Sequence, residues 1–188
     1  MILPGDDLVP DASMTFDRFR TIVGPPDSIW PWLVQLGKGR AGWYLPGVVE
    51  RRLIPRSRRA ARIVDPRWQA LRVGDRIPDY GGRDETLEVV TINAPIALVY
   101  RSRRGKARFS WALLLHPGDG GHTVVQLRFR GKLASTGWRR RVIVTLGEFF
   151  DWATSELMLR GLQERVGVGP VGEGVETKVS AHNRSVAP

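Results

Sequence analysis

The sequence predicts an α+β fold in which a curved antiparallel β-sheet wraps around one long C-terminal helix. Three observations predict it: the first apolar segment alternates with a period of two, four later segments are strand-like, and the last periodic stretch has the spacing of an amphipathic helix. A sheet that buries one face against a helix is a stable way to arrange these elements. The 188 residues have room for one such domain, with an ordinary globular content of 42% hydrophobic and 26% charged residues.

The chain is expected to enter the sheet through a single N-terminal strand. Residues 1–13 are rich in Pro, Gly and Asp without periodicity, and we expect them to form an N-terminal arm. From Met14 to Val23 successive residues alternate as in a strand, and Gly24-Pro25-Pro26 ends it.

Two short helices are predicted after this strand. The first accommodates Pro31 in its first turn, where the missing N–H costs least. Its apolar residues recur at helical spacing: Ile29, Trp32, Leu33 and Leu36. The second runs from Pro46 to about Leu53, and the basic stretch from Arg51 to Arg62 is expected to be a solvated connection.

Four strand candidates follow, joined by short links that are typical of turns. They cover residues 86–92, 96–102, 109–116 and 123–133. An antiparallel meander is the simplest topology for strands with such short links. In the last strand, apolar and charged residues alternate, so we expect one face to be covered and the other to contact solvent.

A long helix is expected from Gly137 to about Val166. Its apolar stripe is formed by Val142, Leu146, Phe149, Ala153 and Leu157, with Phe150 beside it. Residues 167–188 have the composition of a disordered tail, so the expected domain spans residues 14–166.

The composition excludes several classes of site. The absence of cysteine rules out disulfides, a thiol nucleophile and thiolate metal sites, and the three histidines predict no metal site. The sequence contains no convincing cofactor-binding motif, so no cofactor is expected. No secretory signal is visible in the sequence. A membrane-spanning helix needs about 20 consecutive apolar residues, and no apolar run approaches that length. A cytoplasmic location is therefore expected.

Five short motifs carry a resemblance to a known family. They are Trp30-Pro31-Trp32-Leu33-Val34-Gln35-Leu36-Gly37, Gly39-Arg40-Ala41-Gly42-Trp43-Tyr44, Leu71-Arg72-Val73-Gly74-Asp75, Phe109-Ser110-Trp111 and Met158-Leu159-Arg160-Gly161-Leu162. Over roughly residues 14–166 the chain resembles the SRPBCC family, the START-like and polyketide cyclase-like superfamily. The resemblance implies a helix-grip fold with an internal hydrophobic pocket. Members use that pocket to bind lipids, sterols or polyketides, or to catalyse cyclisation and dehydration.

The function expected from this resemblance is binding of a hydrophobic small molecule between the sheet and the C-terminal helix. Arg20 stands where the family would lead us to expect an aliphatic residue, so it should meet an acidic side chain or an acidic group of the ligand. The other candidate lining residues are mostly aromatic: Trp32, Trp43, Tyr44, Tyr80, Tyr100, Trp111, Phe129, Leu146, Phe149, Phe150, Ala153 and Leu157.

Other functions stay open at this point. A cyclase or dehydratase would need a proton-transferring group, for which Glu88 is the acidic candidate. The net charge of +10 includes three arginine patches that would suit a lipid carrier docking weakly on anionic membranes. Nucleic acid is disfavoured because an aromatic residue adjoins only one of these patches. The sequence does not determine the ligand or the oligomeric state.

Overall fold

The structure, a computed structural model, describes residues 2–80, 84–132 and 154–167. Within these ranges an antiparallel sheet of six strands has the order β1-β6-β5-β4-β3-β2. The strands are β1 (Met14–Val23), β2 (Arg76–Pro78), β3 (Thr86–Asn93), β4 (Ala97–Arg104), β5 (Ala107–Pro117) and β6 (His122–Lys132). The helices are α1 (Pro26–Gln35), α2 (Gly47–Leu53) and α3 (residues 154–167).

The predicted α+β architecture is confirmed. The five long strands and both short helices lie within a few residues of their predicted bounds. Strand β2 was not predicted, because three residues that include a proline are too few to show alternation of apolar and polar side chains. In the structure this strand pairs with β3, with Ile77 opposite Leu87. The predicted long helix is helical over residues 154–167, whereas its first part and residues 168–188 of the predicted tail lie outside the described residues.

The core lies between the sheet and the helices. Strand alternation sends one set of side chains toward α1 and α3, and we call this side the inner face. Its buried members include Ile22, Leu98, Leu113, Val125 and Leu127. The helices contribute Ile29, Leu33, Met158, Leu159 and Leu162, each essentially without exposed surface.

The opposite, outer face was expected to contact solvent, and this expectation is wrong for its central part. Residues 2–13 cross it, and Leu3 and Leu8 pack on a buried cluster formed by Ala97, Val99, Ala112 and Leu114. Gly5 allows the close approach: its φ is +88°, and an added Cβ would lie 2.7 Å from Cγ1 of Val99. The charged row of β6 is covered as well, since Arg128 donates to Asp6 at 2.7 Å.

The basic connection after α2 is not simply solvated either. Ala60 is buried, and Ala61 donates its N–H to the carbonyl of Ala41 at 2.7 Å. From α3, the buried Arg165 donates to the carbonyl of Ala61 at 2.8 Å and to Glu50 Oε1 at 2.6 Å. The segment after α2 is therefore fixed to the C-terminal helix.

No helix within the described ranges is long and apolar enough to cross a membrane.

Candidate functional site

Six aromatic side chains form a connected surface beside the buried core. They are Phe16, Trp43, Tyr80, Phe109, Trp111 and Phe129, and we call them the aromatic surface. The sheet register places Phe16 and Trp111 on either side of Phe129, so all three strands point their rings to the inner face. Ring centroids of neighbouring pairs lie 5.2–6.2 Å apart.

Trp43 links this surface to the C-terminal helix. Its indole packs edge-on against Trp111, with centroids 6.2 Å apart, and its Nε1–H donates to the carbonyl of Thr154 at 3.3 Å. The loop that carries it is held by Gly42, whose φ is +86° and whose added Cβ would lie 3.0 Å from Cα of Ala60. The ring of Tyr80, 56% exposed, packs against Trp43 from the solvent side.

A row of polar side chains on β4 borders the aromatic surface. Tyr100, Ser102 and Arg104 alternate on the inner face, opposite Trp111, Phe109 and Ala107 of β5. Burial raises the pKa of Tyr100 far above its usual range, so its hydroxyl stays protonated. The Arg104 guanidinium lies over the ring of Phe109, 5.2 Å from its centroid, and pairs with Asp79 and Glu85.

Three hydroxyls on this side of the fold are buried and have no hydrogen-bond partner in the described part of the chain: Tyr100, Ser102 and Ser155. Tyr100 and Ser102 belong to β4 and Ser155 to the start of the described helix α3. Each of the three residues has at most 5% of its surface exposed. Such groups are few in native proteins, and a place for water, an ion or a catalytic role is among the explanations for them.

Arg20 lies on the inner face of β1, as its alternation with Ile22 predicts. Of the two partners considered for it, the structure provides the acidic side chain: Nη1 pairs with Glu156 at 3.1 Å, and Nε donates to Gln163 at 2.9 Å. Both acceptors belong to α3, so this arginine ties the edge strand to the C-terminal helix.

The structure brings together part of the predicted site. Trp43, Tyr80, Trp111 and Phe129 are neighbours, with Tyr100 beside them. Trp32 and Tyr44 lie in the core, where Tyr44 donates its hydroxyl to the carbonyl of Trp32 at 2.8 Å. Leu157 is half-buried on α3. The remaining candidates lie outside the described residues: Leu146, Phe149, Phe150 and Ala153.

Sequence reasoning missed Phe16, Phe109, Ser102 and Ser155. The sequence does carry a signal for the first two. Phe109 alternates in step with Trp111, and Phe16 with Arg20, so each phenylalanine lies on the same strand face as a predicted site residue. The two serines carry no signal in the sequence, since what distinguishes them is burial without a hydrogen-bond partner among the described residues.

Glu88 does not face the interior. It lies opposite Arg101 on the outer face and accepts a hydrogen bond from it at 2.7 Å. This hydrogen bond holds the pKa of Glu88 below its ordinary value, so the carboxylate is ionised at neutral pH.

Two shallow depressions lie beside the loop that carries Trp43. One, of about 370 Å³, is lined by Arg40, Arg58, Arg67, Trp68 and Tyr80 among others. The other, of about 280 Å³, shares Arg40 and Trp68 with it. Both are rich in arginine, unlike the aromatic surface. Within the described ranges, no three His, Asp or Glu side chains are grouped as metal ligands.

Comparison with known proteins identifies the fold. No protein-family model matches the chain, and no curated protein sequence does. Solved structures do. A hypothetical protein from Helicobacter pylori has a TM-score of 0.55 at 11% identity, covering 87% of this chain and 95% of its own. An HSP90 activator from Plasmodium falciparum has a TM-score of 0.50 at 16% identity, covering 82% and 97%.

A protein from Mesorhizobium loti is 21% identical, covering 81% of this chain and 98% of its own, with a TM-score of 0.46. At these identities the likeness concerns the fold. The helix-grip fold that the sequence motifs implied is confirmed by the two structures with TM-scores of 0.50 and 0.55.

Proposed function

We propose that the protein binds a hydrophobic small molecule against the aromatic surface, between the sheet and the C-terminal helix. The observation that carries the proposal is the connected set of six rings on the inner face. Four of them, Phe16, Trp43, Phe109 and Trp111, are only half-buried by the rest of the chain. Apolar rings that are not fully packed in the core are the kind of surface that lines a ligand site.

Binding at this surface would be driven by removal of apolar area from water, at about 25 cal/mol per Å². Ring faces add a preference for flat, aromatic or polycyclic ligands, because offset and edge-on ring contacts are favourable. The carboxylates at the edge of the surface, Asp79 and Glu85, are both paired with Arg104, and Glu88 faces away. Proton-transfer catalysis is therefore not part of the proposal.

Strand β1 offers a matched pair of variants for the test. Phe16 belongs to the aromatic surface, whereas Phe19 is 58% exposed on the outer face of the same strand. We expect a panel of naphthalene derivatives and medium-chain fatty acids to contain ligands that bind saturably and quench tryptophan fluorescence. Phe16→Leu should weaken that binding about threefold to tenfold through lost apolar contact, and Phe19→Leu should leave it unchanged.

No saturable binding to any member of the panel would contradict the proposal. An equal loss of affinity in both variants would show that the ligand does not contact the aromatic surface.

A second candidate function, a lipid carrier that docks on anionic membranes, is favoured by one surface. Helix α2 exposes Val48 and Leu53 next to Arg51 and Arg52. The pair between Arg62 and Glu50, 2.9 Å long, places the exposed Ile63 near this helix. Apolar side chains among arginines are the pattern that inserts into the interface of an anionic bilayer.

Vesicle co-sedimentation tests this docking. We expect binding to vesicles containing phosphatidylglycerol, weaker binding to pure phosphatidylcholine, and loss of binding as NaCl is raised. The double variant Val48→Ser/Leu53→Ser should bind less, whereas Val73→Ser, an exposed valine in the turn before β2, should not. Binding that ignores salt and anionic lipid content would contradict a carrier that docks in this way.

A further inference from the structure

We infer that the hydroxyls of Tyr100, Ser102 and Ser155 form a hydrogen-bonding site for an uncharged oxygen, a carbonyl or hydroxyl group, of the ligand. The inference rests on the proposed function, because it assigns one end of the same ligand. It narrows the ligand class from any hydrophobic molecule to an aromatic or polycyclic molecule that carries such an oxygen.

The placement of two of these hydroxyls follows from the sheet. Tyr100 and Ser102 are two residues apart on β4, so both point to the inner face. Their partners across the strand pair are Trp111 and Phe109, two members of the aromatic surface. A ligand lying on these rings would therefore meet the β4 hydroxyls along its edge.

The third hydroxyl comes from the helix on the other side. Ser155 precedes Met158 and Leu159 by three and four residues, so it shares their face of α3. Both belong to the same buried cluster as Tyr100. The residue before Ser155 accepts the hydrogen bond of Trp43, which contacts Trp111. The helix hydroxyl thus borders the same part of the inner face.

Within the described part of the chain, lack of a hydrogen-bond partner distinguishes these three hydroxyls from others that are equally buried. Tyr44 donates to the carbonyl of Trp32 at 2.8 Å, and Thr123 donates to the carbonyl of Gly24 at 2.7 Å. At these two positions the chain therefore provides a backbone acceptor for a buried hydroxyl that helps to hold the fold. Burying one without a partner costs free energy that a ligand oxygen would recover.

The chemistry of the three groups selects an uncharged oxygen. A hydroxyl both donates and accepts, so two or three of them match a carbonyl or another hydroxyl. Of the nearby arginines, Arg104 pairs with Asp79 and Glu85, Arg20 pairs with Glu156, and Arg40 donates to the carbonyls of Val34 and Trp68.

The test uses two probes of the same shape, 2-naphthol and 2-methylnaphthalene, titrated by calorimetry or by tryptophan fluorescence. We expect the wild type to prefer 2-naphthol. Tyr100→Phe, Ser102→Ala and Ser155→Ala should each weaken 2-naphthol about fivefold to tenfold and leave 2-methylnaphthalene unchanged. Without ligand, each variant should melt at the wild-type temperature or above it, because a buried hydroxyl with no partner has been removed.

Tyr44→Phe is the matched control. It removes a buried hydroxyl that has a partner, so it should lower the melting temperature and leave the preference between the probes unchanged. The inference is overturned if the three variants bind both probes as the wild type does, if they weaken both probes equally, or if they melt below the wild type as Tyr44→Phe does. Binding of neither probe by the wild type would reject the hydroxyl site, and the proposed function would fall with it if no other member of the panel bound; equal binding of both probes would leave that function standing and reject the hydroxyl site.

Discussion

Arg165 has 2% of its surface exposed, and each of its guanidinium nitrogens has a hydrogen-bond partner. Nε and Nη1 donate to the carbonyls of Ala61, Leu45 and Gly161, and Nη2 pairs with the buried Glu50. Its guanidinium also lies 4.6 Å from the ring centroid of Tyr44. The sequence could not indicate this site, because Glu50 and Arg165 are 115 residues apart and each looks like an ordinary surface charge.

Replacing Glu50 by Gln should lower the free energy of unfolding by about 3 kcal/mol, because it leaves Arg165 buried without a counter-charge. Urea unfolding at neutral pH measures the change. Asp65→Asn is the control, since that carboxylate pairs with an arginine that is 78% exposed, and it should change stability little. Equal effects of the two substitutions would show that the buried pair does not hold α2 to α3.

Among the elements, the N-terminal segment, residues 2–13, contributes more to the fold than its composition suggests. Its anchor is Asp6, which accepts from Arg128 at 2.7 Å and from the N–H of Leu3 at 3.1 Å. Burial by itself would raise the pKa of Asp6, but these hydrogen bonds and the charges of Arg128 and Arg130 together hold it below its ordinary value. An ionised Asp6 is therefore one of the contacts that fasten the segment to β6, together with the hydrogen bond from Arg130 to the carbonyl of Val9.

The contribution of Asp6 should depend on pH. Because its folded pKa is below its unfolded one, the ionised carboxylate stabilises the fold above about pH 4, and this stability is lost as pH falls through the folded pKa. Asp6→Asn should cost about 1 kcal/mol at pH 7, and the difference from wild type should shrink near pH 2. Urea unfolding at both pH values measures it. The control is Asp7→Asn, a substitution at the exposed neighbouring residue, which should leave the free energy of unfolding unchanged at both pH values. If Asp6→Asn lowered the free energy of unfolding by the same amount at both pH values, the ionic role of Asp6 would be contradicted.

The meander of β3, β4, β5 and β6 was predictable from the sequence in a way that these contacts were not. Alternation and short links are local signals, so they indicate these strands and their antiparallel order, whereas the pairing of β1 with β6 joins distant parts of the chain and was not predicted. The outer face of β6 was expected to be wet because it carries Arg128 and Arg130. Alternation indicates that two faces differ, but it does not indicate what lies over either of them.

Across the whole molecule, the net charge of +10 includes arginines with different tasks. Some connect distant parts of the chain: Arg20 joins β1 to α3, Arg128 joins β6 to the N-terminal segment, and Arg165 joins α3 to α2. Others, such as Arg51 and Arg52 on α2, are exposed and give the membrane-docking proposal its basis. Buried pairs are screened by salt far less than exposed charges, so salt should weaken vesicle binding much more than it weakens the fold.

The sequence by itself determined the class of fold, the bounds of most elements and the aromatic residues from which a ligand surface could be built. These depend on local spacing and composition, which the printed residues contain. Only the tertiary structure decided that Trp32 and Tyr44 lie in the core while Trp43, Trp111 and Phe129 share a surface. It also decided that Arg20 meets Glu156, and that three buried hydroxyls have no hydrogen-bond partner among the residues that the structure describes. Those outcomes depend on which residues meet although they are far apart in the sequence. The packing of the elements decides this, because it must bury apolar side chains and provide hydrogen-bond partners for buried polar groups at the same time.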